Sequence, residues 1–161
     1  MWVSHTGLRR VEFGPLPDHA HTDPPETWPD LLSTVVEQLR EYFARNRTSF
    51  DLPLDLESAT DFQRAVYDEL VKVEHGRLTT YGELAQAVHR PELARAVGQA
   101  VGANPVPIVI PCHRVVAADS RLGGFSGGLT AKVALLSVEN VHVDGVSETS
   151  RVHPEELRLD L

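Results

Sequence analysis

Three helix starts crowd into residues 60 to 91, and they restrict the fold more than any other feature of the chain. Thr60 stands three residues before Gln63 and opens a segment in which Phe62, Val66, Leu70 and Val73 are apolar. Thr80 stands three residues before Glu83 and opens "ELAQAVH". In each pair the hydroxyl can accept from the amide three residues on, while the Gln or Glu side chain reaches back to the threonine amide. Pro91 then precedes "ELARAVGQAVGAN", where a helix start tolerates the missing N–H. Two short helices joined by a few residues, the second rich in alanine and glycine, predict a helix-turn-helix. The same pattern also suits an αα-hairpin used only for packing.

The flanking segments give a mixed pattern. "LRRVEF" predicts a short strand, and the proline-rich "PLPDHAHTDPPETWP" a loop. From Asp30 to Arg45, apolar residues recur at three and four positions (Leu31, Leu32, Val35, Leu39, Tyr42, Phe43), which predicts an amphipathic helix. "SFDLPLDL" alternates as a strand does, with Pro53 pushing it to a sheet edge. "PIVIP" predicts a buried strand or extended segment, "DSRLGGFSGG" a glycine-rich loop, and "LTAKVALLSVEN" a final helix. The last 20 residues are polar and acidic and predict an extension or a disordered tail. The expected fold class is α+β. A small N-terminal α/β domain spans 1–58, a helical domain with the helix-turn-helix spans 59–141, and a polar C-terminal extension spans 142–161.

Cys112 is the only cysteine. One thiol makes no internal disulfide and no paired-cysteine zinc site. The N-terminus carries no apolar signal segment, and no apolar run approaches the ~18 residues of a membrane span. A cytoplasmic protein with no membrane partner is therefore expected. The net charge of −8 argues against nonspecific nucleic-acid binding. The acid is unevenly spread. Residues 1–61 hold 5 basic and 11 acidic side chains, whereas residues 62–140, around the thiol, hold 8 and 7.

A lone cysteine among apolar residues is usually inert packing. Three features favour chemistry here. Pro111 stiffens the backbone before it, and His113 is a base beside it. Glu139 follows Leu135 by four residues, so an acid shares the inner face of the last helix and needs a partner. The predicted assembly runs from Glu139 to His113 to Cys112. The carboxylate orients the imidazole, and the imidazole takes the thiol proton, directly or through a bridging water. The expected product is a thiolate at neutral pH. A packed core histidine and a solvated helix end are the plainer readings of His113 and Glu139. A thiolate attacks either an acyl or an alkyl carbon, and local spacing does not separate the two.

"PCHRV" at 111–115 resembles the active-site signature of the O6-alkylguanine-DNA alkyltransferases, also called methylated-DNA-protein-cysteine methyltransferases. The resemblance runs without a gap from 60 to 139, through "TDFQRAVYDELVKVEHGRLTTYGELAQAV", "ARAVGQAVGANPVPIVIPCHRVV" and "GGFSGGLTAKVALLSVE". It implies a single-turnover repair protein with no cofactor. An alkyl group, methyl above all, would pass irreversibly from O6-alkylguanine in DNA, and from O4-alkylthymine, to Cys112. His113 would be the water-mediated base, Glu139 would complete the relay, and Asn104 would order the turn around the thiol.

The resemblance also implies a ribonuclease H-like N-terminal domain and a monomer that binds double-stranded DNA through the minor groove. The second helix of the helix-turn-helix would lie in that groove, with Ala94, Ala96 and Gly98 allowing close approach. Arg95 would fill the gap left by the extruded base, and Tyr81 would rotate the flanking phosphate and hydrogen-bond that base. The Ser126 amide would bind O6, and the carbonyls of Cys112 and Val115 would accept from the exocyclic amine.

The chain departs from the family pattern in places. Its N-terminal domain reads as truncated. Phe125 stands where tyrosine is frequent, removing a hydroxyl from the pocket rim. Gln99 replaces a small residue on the groove helix, and Gly102 replaces an arginine found in some members. His19 and His21 do not match the zinc site of some relatives, so no metal is expected. Two other functions compete. A noncatalytic lesion sensor on the same fold would lack the acceptor cysteine, which this chain has. A cysteine hydrolase would leave the helix-turn-helix and Arg95 without a role.

Overall fold

The computed structural model describes residues 1–14 and 29–153. Strands β1 (Trp2–Val3) and β2 (Leu8–Arg10) pair antiparallel, and helix α1 (Pro29–Phe43) follows. Val35, Gln38 and Tyr42 lie on the buried side of α1. The helix ends where Arg45 turns to φ 61°, as Arg45 N donates to Tyr42 O and Asn46 N to Glu41 O, both at 2.9 Å. That double closure normally favours glycine in the left-handed position.

Both threonine caps form as the spacing predicts. Gln63 N donates to Thr60 Oγ1 at 3.2 Å and Thr60 N to Gln63 Oε1 at 2.9 Å, opening α2 (Asp61–Val71). Glu83 N donates to Thr80 Oγ1 at 3.2 Å and Thr80 N to Glu83 Oε2 at 2.7 Å, opening α3 (Tyr81–Ala87). A 3-10 turn at Pro91–Leu93 leads directly into α4 (Ala94–Gly102), so α3 and α4 form the helix-turn-helix. Thr80 also belongs to β3 (Thr79–Thr80), which pairs parallel with β4 (Val115–Val116) in the register Thr80 to Val116. The chain ends its described part with α5 (Leu129–Val138), β5 (His142–Val143) and β6 (Val152–His153).

One apolar core joins the two halves. Leu8, Val11 and Val35 pack in the same cluster as Val66, Leu84, Val97, Ile110 and Cys112. The N-terminal unit therefore buries its apolar face against the helical unit. No helix among the described residues is long and apolar enough to cross a membrane.

Three expectations are corrected. "SFDLPLDL" forms no strand; Leu54 makes one isolated bridge to Leu8, with Leu8 N on Pro53 O at 2.8 Å and Asp55 N on Leu8 O at 3.0 Å. Pro53 has no N–H to extend the ladder. "PIVIP" is a tight turn, in which Ile110 N donates to Val106 O at 2.9 Å and Ile108 takes φ 77°. The apolar run marked burial there, but not extension. Within the C-terminal stretch, residues 142–153 are no disordered tail: β5 and β6 pair antiparallel, and Val152 packs with Leu122, Leu136 and Val141. Residues 154–161 lie outside the described part.

Candidate active site

The turn from Asn104 to Arg114 presents the thiol. Asn104 Nδ2 donates to Ile110 O at 2.8 Å, and Val106 N donates to Asn104 Oδ1 at 3.0 Å. One buried amide thus ties both ends of the turn that contains the strained Ile108. Cys112 N donates to the same Ile110 carbonyl at 2.8 Å. Cys112 then opens a single 3-10 turn, Cys112–Arg114, and is 3% exposed.

Glu139, just past the last turn of α5, is the hub of the site and only 2% exposed. His113 Nε2 lies 2.8 Å from its Oε1. Tyr42 from α1 donates to Oε1 at 2.8 Å, and the Gly76 amide donates to Oε2 at 2.9 Å. Arg114 donates from Nε to Oε2 and from Nη2 to Oε1, both at 2.9 Å. Burial alone would raise the Glu139 carboxyl. The hydrogen bonds from His113 and Arg114, with the positive charge of Arg114, outweigh it and hold the group well below the usual carboxylate range. Glu139 is therefore a fixed anion that orients the imidazole. It is too weak a base to take the proton.

Burial keeps His113 neutral, lowering it from its ordinary value against the opposing pull of Glu139. With Nε2 committed to Glu139, the other ring nitrogen, Nδ1, is buried and has no hydrogen-bond partner. The neutral tautomer that donates from Nε2 leaves Nδ1 as a free base beside the thiol residue.

The expected resting thiolate is corrected. Burial pushes the Cys112 thiol up to about 11, although Asn104, nearby backbone amides and Lys132 pull the other way. A sulfur this enclosed is a thiol at neutral pH.

The groove-helix residues divide by exposure. Arg95 and Gln99 are exposed, Ala94, Ala96 and Gly98 are partly covered, and Val97, Ala100 and Val101 face the core. Arg95, Gly98, Gln99 and Gly102 share one outward stripe at helical spacing. Gly98 lies against the Tyr81 ring; an added β-carbon would sit 3.7 Å from Tyr81 Cδ1. Tyr81 is half-buried, and burial above all raises its hydroxyl. Phe125 makes an edge-on contact with Phe13 at 5.8 Å between centroids, and Ser126 beside it is exposed. The Val115 carbonyl accepts from Lys132 Nζ at 2.7 Å.

Four contributors escaped the sequence reading: Tyr42, Gly76, Arg114 and Lys132. Lys132 is fully buried, and its ammonium also donates to the carbonyls of Leu122 and Gly124. Burial pushes it down to about 8, partly offset by Cys112 and Glu148. Its position within apolar "LTAKVALL" was a readable signal of burial, whereas the other three had none. His19 and His21 lie outside the described residues. Among the described residues no group of three His, Cys, Asp or Glu side chains is placed to hold a metal ion.

Comparison with known proteins bears on the family and the fold. The model of the 6-O-methylguanine DNA methyltransferase DNA-binding domain matches residues 61–141, and that of the ribonuclease-like domain matches residues 3–56. The methylated-DNA-protein-cysteine methyltransferase of Mycobacterium tuberculosis (strain ATCC 25618 / H37Rv) is 43% identical over 134 residues, which are 83% of this chain and 79% of the relative. That of Haemophilus influenzae is 36% identical over 152 residues, 92% of this chain and 82% of the relative. Among solved structures, Mycobacterium tuberculosis OGT in complex with DNA superposes with a TM-score of 0.72 at 39% identity, covering 86% of this chain and 84% of that one. S. pombe Atl1, in complex with damaged DNA containing O6-carboxymethylguanine, has a TM-score of 0.51 at 28% identity, covering 59% of this chain and 89% of that one. The two domain models, the extent of the alignments and the shared architecture together establish that the chain belongs to the 6-O-methylguanine DNA methyltransferase family, the methylated-DNA-protein-cysteine methyltransferases.

Proposed function

We propose that this protein repairs DNA by moving the alkyl group of O6-alkylguanine to Cys112 in one irreversible step. Cys112 Sγ attacks the alkyl carbon as the O6–carbon bond breaks, and the electron pair stays on guanine. The thiol proton passes through a water to His113 Nδ1, and the guanine regains a proton on its ring. The product on the protein is a thioether, which water does not cleave, so each chain acts once and needs no cofactor. O4-alkylthymine presents the same leaving-oxygen chemistry.

The observation that carries this reading is the tautomer lock at His113. Glu139 holds Nε2 at 2.8 Å, and Nδ1 is buried and unpartnered. What sets His113 apart is the combination of that unpartnered nitrogen with a fixed anion on the other one, beside the thiol in sequence. Asn104 belongs to the same machinery as the brace of the turn.

DNA docks as a duplex on the outward stripe of α4, through the minor groove, and to a monomer. Arg95 fills the stack after the base leaves it, Gln99 contacts the backbone, and Ala94, Ala96 and Gly98 keep the helix close. Tyr81 donates to the extruded base as negative charge develops on it. The Ser126 amide meets O6, the carbonyls of Cys112 and Val115 meet the exocyclic amine, and Phe125 walls the pocket. The Val115 carbonyl has a second lone pair beyond the one Lys132 engages. We assign 1–58 and 59–141 as two domains with 142–161 as an extension, a division supported by family matches that stop at 56 and restart at 61. A lone thiol suits a cytoplasmic setting.

The sensor alternative is disfavoured by Cys112 itself, set in an intact relay. Intact-mass spectrometry after incubation with O6-methylguanine DNA should show one added methylene per chain, mapped to Cys112. Repeated turnover, or a mass gain that persists in Cys112→Ala, overturns the reading.

A further inference from the structure

Residues 142–153 lie beyond both stretches matched by the family models, yet they grip the loop that leads into the candidate pocket. Leu122 N donates to Ser150 O at 2.8 Å, Gly123 N to Glu148 O at 3.0 Å, and Val152 N to Ser120 O at 2.9 Å. From the inner side, Lys132 Nζ donates to the carbonyls of Leu122 and Gly124. The stretch just before Phe125 and Ser126 is therefore clamped on both faces.

The loop closing this hairpin carries two carboxylates: Asp144, which pairs with His153 Nε2 at 3.0 Å, and Glu148. Glu148 Oε1 lies beside Gly124; a β-carbon built on that glycine would sit 3.6 Å away. The side chain is exposed and solvated. Its charge nevertheless reaches inward, adding to the rise of the Tyr81 hydroxyl and opposing the fall of Lys132. Gly124 directly precedes Phe125, which packs with Tyr81 against the apolar cluster that contains Cys112, so the carboxylate stands one residue from that cluster's edge.

We propose that Glu148 is a specificity-determining residue: its carboxylate at the pocket rim disfavours alkyl adducts that carry negative charge relative to neutral adducts of the same size. The proposal rests on the reading of Cys112 as alkyl acceptor. A methyl group feels nothing from this charge. A carboxymethyl group on the extruded guanine brings a second anion toward the loop, where the two repel through partly solvated space. Because Glu148 is exposed, the penalty is small and screened by salt.

The test compares single-turnover rates on duplex DNA carrying O6-carboxymethylguanine or its neutral isostere O6-carboxamidomethylguanine, with O6-methylguanine as reference. Glu148→Gln should raise the carboxymethyl to carboxamidomethyl rate ratio by about threefold to fivefold at low salt, the range of an exposed charge pair. Glu148→Lys should raise it further, and about 0.5 M salt should shrink both gains. An unchanged ratio in both variants overturns the proposal. So does an equal rise for both adducts, which would place the effect on DNA approach. Absence of methyl transfer in the unmodified protein overturns the acceptor reading itself, and this inference with it.

Discussion

The Tyr42 hydroxyl, on α1, donates to Glu139 Oε1 at 2.8 Å across 97 residues of sequence. It also lies 3.4 Å from His113 Nε2. Burial, then the neighbouring Glu139 charge, raise this phenol above its ordinary value, so it remains a donor at every working pH. Through it the N-terminal unit supplies part of the site that orients the base.

Tyr42→Phe removes that donor and leaves the ring's packing. We expect a loss of about 1–2 kcal/mol in denaturant unfolding. Alkyl transfer should slow by about tenfold or less, since Arg114 and Gly76 still hold the carboxylate. A transfer rate equal to wild type would show that His113 is held well enough without α1.

Arg114→Met should be far more damaging. It leaves Glu139 an anion in a closed site with its main counter-charge gone, which costs about 3–5 kcal/mol. The wild-type pair also predicts an acid limb. Glu139 is depressed in the folded state, so its contribution is present above the unfolded carboxyl value of about 4.3 and is lost as pH falls toward the folded value. Unfolding midpoints taken from pH 7 down to pH 3 should fall more steeply in wild type than in Glu139→Gln.

Cys112 should behave as a high-pH thiol. Its folded value of about 11 lies above the unfolded value of about 8.5. Its contribution to stability is thus present below about pH 8.5 and is lost as pH rises toward 11. Iodoacetamide should label native Cys112 slowly at pH 7 and increasingly up to at least pH 10. A plateau near neutrality would mean that the sulfur rests as thiolate after all.

Asn104→Ala unpairs the Val106 amide and removes one of two donors from the Ile110 carbonyl. About 2 kcal/mol of stability should go with them. The left-handed Ile108 has less to hold it, so amide hydrogen exchange across 104–112 should quicken more than across α2. Uniform quickening would instead indicate global destabilisation.

What the sequence could disclose was local. The Thr60 and Thr80 caps are three-residue signals and formed as read. Glu139 announced itself as an acid on an apolar face four residues from Leu135. Tyr42 read as one more apolar position on an amphipathic helix, because nothing near it in sequence marks a partner 97 residues on. Arg114 gave no local signal, because the carboxylate it holds lies 25 residues on. The two failed strands share a cause. Alternation at 50–56 and apolarity at 107–111 report burial, and backbone details decide the rest: a missing N–H at Pro53 and a φ of 77° at Ile108. The thiolate failed because enclosure outweighs the help of nearby donors, a balance only packing reveals.

The short parallel ladder between Thr80 and Val116 joins two jobs. Thr80 caps the helix whose first residue is Tyr81, while Val116 lies four positions past the sulfur. Under the proposed function, the stage that receives an extruded nucleotide and the atom that relieves it of its burden are therefore bolted to one frame. On that reading a duplex that drags on the first would tilt the second with it, so the depth to which a lesion is seated would be gauged against the acceptor itself.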